Sequence, residues 1–255
     1  MCDAYNNQRI IILFMSQIKP IAKQVILALK KLANPEKAAI LSRFFKTGPG
    51  EYGEGDVFWG ITVPEQRLIA KNFIDLPLFE IKELLTSPIH EVRLTGALIL
   101  VEKFKKSRDQ KELEDILDFY LNNLKCFNNW DLIDLSAPKI IGYYLLENPT
   151  KKKLLGRLSQ NSNMWVRRAA IVANLPLIKN NDCETTITLA NKYLKEDHDL
   201  LHKATGWLLR EVGKQDENKL LDFLDKNASQ MPRVMLRYSL EKLSPELRKK
   251  YLTAK

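Results

Sequence analysis

Cysteine is scarce in this chain, and so are the residues that interrupt helices. Cys2, Cys126 and Cys183 are odd in number and far apart. No CxxC occurs, so neither a disulfide framework nor a cysteine zinc site is supported, and a reducing cytoplasm fits. Ten glycines are spread over 255 residues, and several crowd between Gly48 and Gly60. So few breakers elsewhere favour long helices over many-stranded sheets. Long apolar runs are also missing. Ile10 to Met15 is too short to span a bilayer, and it lacks a basic start and a small-residue cleavage site. It reads as the lead-in to a first helix, and no membrane partner is expected.

Positive charge is in excess. Lys and Arg total 40 against 31 Asp and Glu, a formal net charge of +9. That balance favours a polyanionic partner, with nucleic acid first, and a cytoplasmic, nucleoid-associated location. The length is long for one compact core and comfortable for an extended repeat array.

Apolar periodicity predicts helices over 17–32, 35–45, 64–73, 78–85, 89–104, 111–124, 130–146, 151–158, 164–178, 183–194, 199–212, 218–224, 232–243 and 245–252. Several look like copies of one unit: HEVRLTGALILVEKF from His90, MWVRRAAIVANLPLI from Met164, LLHKATGWLLREVGK from Leu200 and MPRVMLRYSLEKLS from Met231. Aligning their basic positions sets Arg93, Arg168, Lys203 and Arg237 in register, with Asp134 at the equivalent place in NWDLIDLSAPKIIGYYLL. The period of about 34 to 41 residues is that of two-helix HEAT-type repeats. One repeat cannot bury its apolar face alone, so the expected fold is all-α, a curved superhelical solenoid of HEAT-like helix pairs forming one domain over 1–255. The five register positions should then line one groove. The glycine-rich stretch at 48–60 breaks the pattern and reads as a short hairpin or a surface loop.

Trp130 and Asp134 are four residues apart, hence on one helical face. Arg168 follows one repeat later and Trp207 one repeat after that. Two indoles attract a cation, a carboxylate stabilises developing positive charge, and a guanidinium holds a phosphate. No nucleophile–base pair or metal cluster accompanies them. The set suits cleavage of a bond between a sugar and a good leaving group, through an oxocarbenium-like transition state.

The segments NPEKAAILSRFFK, FWGITVPEQR, NNWDLIDLSAP, MWVRRAAIV and KATGWLLREVGK resemble the AlkD-like family of DNA alkylation repair glycosylases, from about Asn34 to Lys214 and more loosely to the C-terminus. The resemblance implies a HEAT-like solenoid that excises cationic N3- or N7-alkylated purines from double-stranded DNA, as a monomer, without metal or cofactor. It implies that Trp130 and Trp207 flank the lesion's deoxyribose. Asp134 then stabilises the oxocarbenium and positions water, and Arg168 holds a backbone phosphate. Arg210 becomes a further phosphate contact, and Phe44 stands where a Tyr is expected. Arg93, Lys203 and Arg237 enter as DNA contacts from repeat phase alone. The insertion before Asp56 is a departure shared with branches that resemble binders of branched DNA, so non-catalytic recognition of branched or distorted DNA is the alternative. A HEAT-type protein scaffold is a third reading, weakened by the arginines around Trp130 and Asp134.

Lesser signals have plainer explanations. His198 and His202 are spaced i, i+4 but have no evident third ligand. Lys151 to Lys153 reads as a solvated face. Phe58 and Trp59 could wedge against DNA or pack inward.

Overall fold

The computed structural model describes residues 20–253. The apolar run Ile10 to Met15, the start of the helix expected over 17–32, and Cys2 lie outside the described residues. Within them all regular structure is helical, apart from one isolated parallel bridge between Val57 and Ile89. Contacts divide the chain into two compact units, Met1–Lys106 and Ser107–Lys255.

The first unit contains α1 (Ala22–Lys30), α2 (Pro35–Phe44), α3 (Val63–Asn72), α4 (Leu78–Leu85) and α5 (His90–Lys106). Helix starts follow local chemistry. The Asn34 side chain accepts from the Lys37 N–H with Pro35 at the first position, and Thr62 with Glu65 forms a capping box. Helix α5 is the core: His90 to Val101 is buried on every face, against α1, α3 and α4. An uninterrupted run of small and aliphatic residues in Leu94 to Val101 permits that.

The glycine-rich segment forms turns fastened to the start of α5, with no paired strands of a hairpin. The Glu91 carboxylate accepts from the backbone N–H groups of Trp59 (3.0 Å), Gly60 (2.8 Å) and Ile61 (3.2 Å). An anion is favoured there by the helix N-terminus. Gly60 is at φ +80°, and a Cβ on it would lie 2.1 Å from the Asn34 carbonyl oxygen, so only glycine fits. Phe58 packs inward, its ring stacked on Phe45 (5.0 Å) and on His90 (4.6 Å), which are themselves 4.9 Å apart, so the three rings form one cluster. The exposed part of the loop carries Glu51 and Glu54, which accept from the Gly48 and Gly50 N–H groups. No lysine or arginine lies between Thr47 and Val57 to offset them.

The register expectation for Arg93 is corrected here. Its side chain is buried; Nη2 donates to Asp56 Oδ1 (2.5 Å) and Nη1 to the Ser87 carbonyl (2.9 Å). Asp56 Oδ2 lies 3.0 Å from His90 Nδ1. Arg93 is an internal strut: the loop brings Asp56 against it, and a guanidinium buried there needs that charged, hydrogen-bonded partner.

The second unit begins with α6 (Gln110–Asn122) and continues with α7 (Trp130–Ala137), α8 (Tyr143–Glu147), α9 (Lys153–Leu158), α10 (Met164–Val172), α11 (Leu175–Lys179), α12 (Glu184–Tyr193), α13 (Asp199–Gln215), α14 (Glu217–Asn227), α15 (Arg233–Ser239) and α16 (Pro245–Leu252). Helices α7, α10, α13 and α15 form a row, each packed on the next. Behind them, α9 packs on α10, and α12 and α14 on α13. Helix α13 shows why: Leu201, Ala204, Thr205, Leu208 and Val212 recur at helical spacing and are buried, leaving Lys203, Trp207 and Arg210 on another face.

Two expected helices are interrupted. The helix expected over 130–146 passes through a π turn at Pro138–Gly142, because Pro138 has no N–H for the α-pattern bond. The one expected over 164–178 breaks after Val172. There Pro176 lacks a donor, and Asn174 Nδ2 donates to the Ala170 and Ile171 carbonyls.

Candidate active site

The local chain around Trp130 fixes its own geometry. Asn129 is fully buried, and its Oδ1 accepts the Trp130 N–H (2.8 Å), starting α7 at the indole. Four residues later Asp134 lies on the same face, and both side chains are half-buried. Helix α7 is held from behind: the Tyr120 and Ser136 hydroxyls are 2.8 Å apart, and Ser136 Oγ donates to the Leu132 carbonyl (2.5 Å). Tyr120 and Ser136 carry no sequence signal of their own within the apolar pattern of their helices. The signal for Asn129 was present, since an Asn before an apolar helix is a capping residue.

Asp134 and Arg168 meet across the α7–α10 contact as a two-point pair. Arg168 Nε donates to Oδ1 (2.9 Å) and Nη2 to Oδ2 (2.8 Å), while Nη1 donates to the Leu200 carbonyl on α13. The guanidinium thus spans three neighbouring helices of the row. Burial raises the Asp134 carboxyl above the ordinary aspartate range, and the charge and hydrogen bonds of Arg168 only partly oppose that. A carboxylate has about four lone-pair sites, so the pair leaves capacity on Asp134 for water or a cation.

The remaining expected residues take different positions. Trp207 is half-buried on α13, the helix that packs on α10. Lys203 pairs with Asp199 one turn earlier (2.6 Å). Arg210 donates to Glu241 and lies 3.5 Å from Glu211. Arg237 on α15 is exposed, and so, in the first unit, is Phe44 on α2. His198 caps α13 by accepting the Leu200 N–H, and His202 Nε2 lies 2.6 Å from the Glu196 carbonyl. Among the described residues no group of three or more His, Cys, Asp or Glu side chains could hold a metal. Among them, too, no helix is long and apolar enough to cross a membrane.

A family model described as "DNA alkylation repair enzyme" matches residues 25–243, taking in both units and every candidate residue. The chain belongs to this family. Among solved structures, a predicted DNA alkylation repair enzyme from Enterococcus faecalis is similar at a TM-score of 0.67. That likeness covers 84% of this chain and 97% of the other, at 19% identity, and it shows the shared fold. No curated protein matches the sequence. Within that matched span, the Asp134–Arg168 pair lies across the α7–α10 contact, with Trp130 one turn before Asp134 on α7 and Trp207 on α13.

Proposed function

We propose that this alkylation repair enzyme hydrolyses the N-glycosidic bond of cationic N3- or N7-alkylated purines in duplex DNA. The observation that carries the reading is the poorly hydrated Asp134 carboxylate, oriented at two points by Arg168, with Trp130 one turn away on the same face of α7.

The alkylated purine already carries the positive charge, so no proton need be delivered to it. As the C1′–N bond breaks, its electron pair goes to the purine, which departs neutral, and positive charge moves to the deoxyribose. Asp134 stabilises that oxocarbenium in a site where low dielectric strengthens the attraction. The indole faces of Trp130 and Trp207 add cation–π stabilisation. A water oxygen bonds to C1′, its proton passes to the Asp134 carboxylate, and an abasic sugar remains. Arg168 serves here as a positioning residue that aligns Asp134 and keeps it ionised. Phe44 and Arg237 are proposed as DNA contacts, together with Lys203 when it leaves Asp199. Arg210 is already committed to acidic partners.

The test is base release. Purified protein incubated with methylated duplex DNA is expected to liberate free 7-methylguanine or 3-methyladenine, measured by chromatography. Binding of that DNA without release of either base would sink the reading. Affinity should fall steeply with added salt, because bound phosphates release counterions.

Arg168→Met separates a positioning role from a phosphate clamp. The catalytic form of Asp134 is ionised, and its carboxyl is already raised by burial, so base release should fall on the acid side at a higher pH than an ordinary aspartate would set. Removing the guanidinium removes what opposes that rise. The acid limb of the pH–rate profile should move further up and kcat should drop, with KM changing less. A raised KM with an unmoved acid limb would assign Arg168 to phosphate instead.

A further inference from the structure

Helix α15 carries, beside Arg237, an exposed aromatic side chain, Tyr238, to which the proposed function gives no role. It lies against α13 at Gly206, where a Cβ would come within 2.5 Å of the Met235 carbonyl oxygen and 2.6 Å of Tyr238 Cβ. Glycine at 206 therefore lets α15 approach the turn of α13 that carries Trp207. Arg210 donates to Glu241 just beyond α15, which ties that turn to α13 and neutralises its carboxylate. Held this way, Tyr238 remains 38% exposed although its helix is well packed. Its neighbour Arg237 is exposed as well.

An exposed aromatic ring next to an exposed guanidinium, one helix beyond Trp207, matches the two parts of a nucleotide. Sugars and bases pack on aromatic faces, and phosphates take arginine. We infer that α15 extends the DNA-binding face past Trp207, with Tyr238 packing against a nucleotide flanking the damaged one and Arg237 holding its phosphate. The inference rests on the proposed function for the position of the damaged nucleotide, and its test needs only binding. Because α15 lies to one side of α13, the contact reads one flank of the lesion.

Fluorescence anisotropy of the full chain on duplexes with a central abasic-site analogue tests this, with either flank shortened in turn. Wild type should lose roughly tenfold in affinity when one particular flank is shortened, and much less for the other. Tyr238→Ala should lose a similar factor on the untrimmed duplex and be indifferent to shortening that flank, the non-additivity expected of one shared contact. Tyr238→Phe should bind as wild type. Arg237→Gln should reduce the salt slope by about one phosphate. Equal sensitivity of wild type and Tyr238→Ala to trimming overturns the inference, and so does unchanged affinity of Tyr238→Ala on the long duplex. If thermal melting shows Tyr238→Ala unfolded, Arg237→Gln with the same trimmed duplexes decides alone. Base release measured alongside keeps the two ideas apart. A flank effect without release overturns the glycosylase reading and leaves the DNA face standing, and release without a flank effect does the reverse.

Discussion

Asp134→Asn is expected to slow release of 7-methylguanine by about a hundredfold or more, the scale of losing a preorganised electrostatic group. DNA affinity should hardly change, since Asp134 is an anion facing a polyanion and contributes no phosphate contact. The acid limb of the pH–rate profile should vanish from the residual activity, because the titrating group is gone. Stability is a separate readout, with opposing contributions. Asn removes a charge that burial disfavours and strands part of the bonding of Arg168, which keeps Leu200 and one amide oxygen. The raised carboxyl means that desolvation outweighs the attraction of the pair. The net loss should therefore fall short of the roughly 3 to 5 kcal/mol usual when a buried pair is broken. The sign with pH follows. A carboxyl whose folded-state value is raised costs stability as pH rises through that value, so any gain from Asn is largest at neutral pH and fades toward acid. Urea unfolding at several pH values measures it. Rapid base release by Asp134→Asn would remove the carboxylate from the mechanism.

Glu91→Ala is expected to be the most destabilising single change in the first unit. The carboxylate is buried and takes the N–H groups of Trp59, Gly60 and Ile61. Truncation leaves these donors without a partner in a region too closed for easy solvation, at about 1 to 3 kcal/mol each. The sum is a large share of the roughly 5 to 15 kcal/mol that holds a typical protein folded. The midpoint of urea denaturation should fall accordingly, and proteolysis should open the chain between Gly48 and Gly60. A loss under about 1 kcal/mol would mean that the loop is fastened mainly by Asp56 with His90 and Arg93. Because the loop's exposed part is acidic, its removal should not weaken DNA binding through lost phosphate contacts.

Repeat phase placed Asp134 and Arg168 at equivalent positions of successive units, and they do meet, because α7 and α10 are neighbours in one row of packed helices. The same logic misplaced Arg93. Phase gives a residue's direction from its helix axis but not what another segment brings against it. Asp56, supplied by the glycine-rich loop, converts an apparent surface cation into a buried strut. Arg210 and Lys203 also have acidic partners: Asp199 is one turn before Lys203 on the same helix, which helical spacing gives, whereas Glu241 reaches Arg210 from 31 residues away, which periodicity does not give.

The sequence by itself determined the all-helical class, the start of each capped helix and the pairing of Trp130 with Asp134 on one face. These follow from local rules: sparse breakers, capping side chains and the 3.6-residue turn. The resemblance of its motifs led to the DNA alkylation repair family. Only the tertiary structure decided that Arg168 bonds Asp134 at two points, that Glu91 gathers three backbone donors, and that Gly206 lets Tyr238 stand beside the turn of Trp207. Each of those depends on residues about 30 or more positions apart meeting at hydrogen-bond or van der Waals distance. Such meetings are set by packing between helices, which no local pattern encodes.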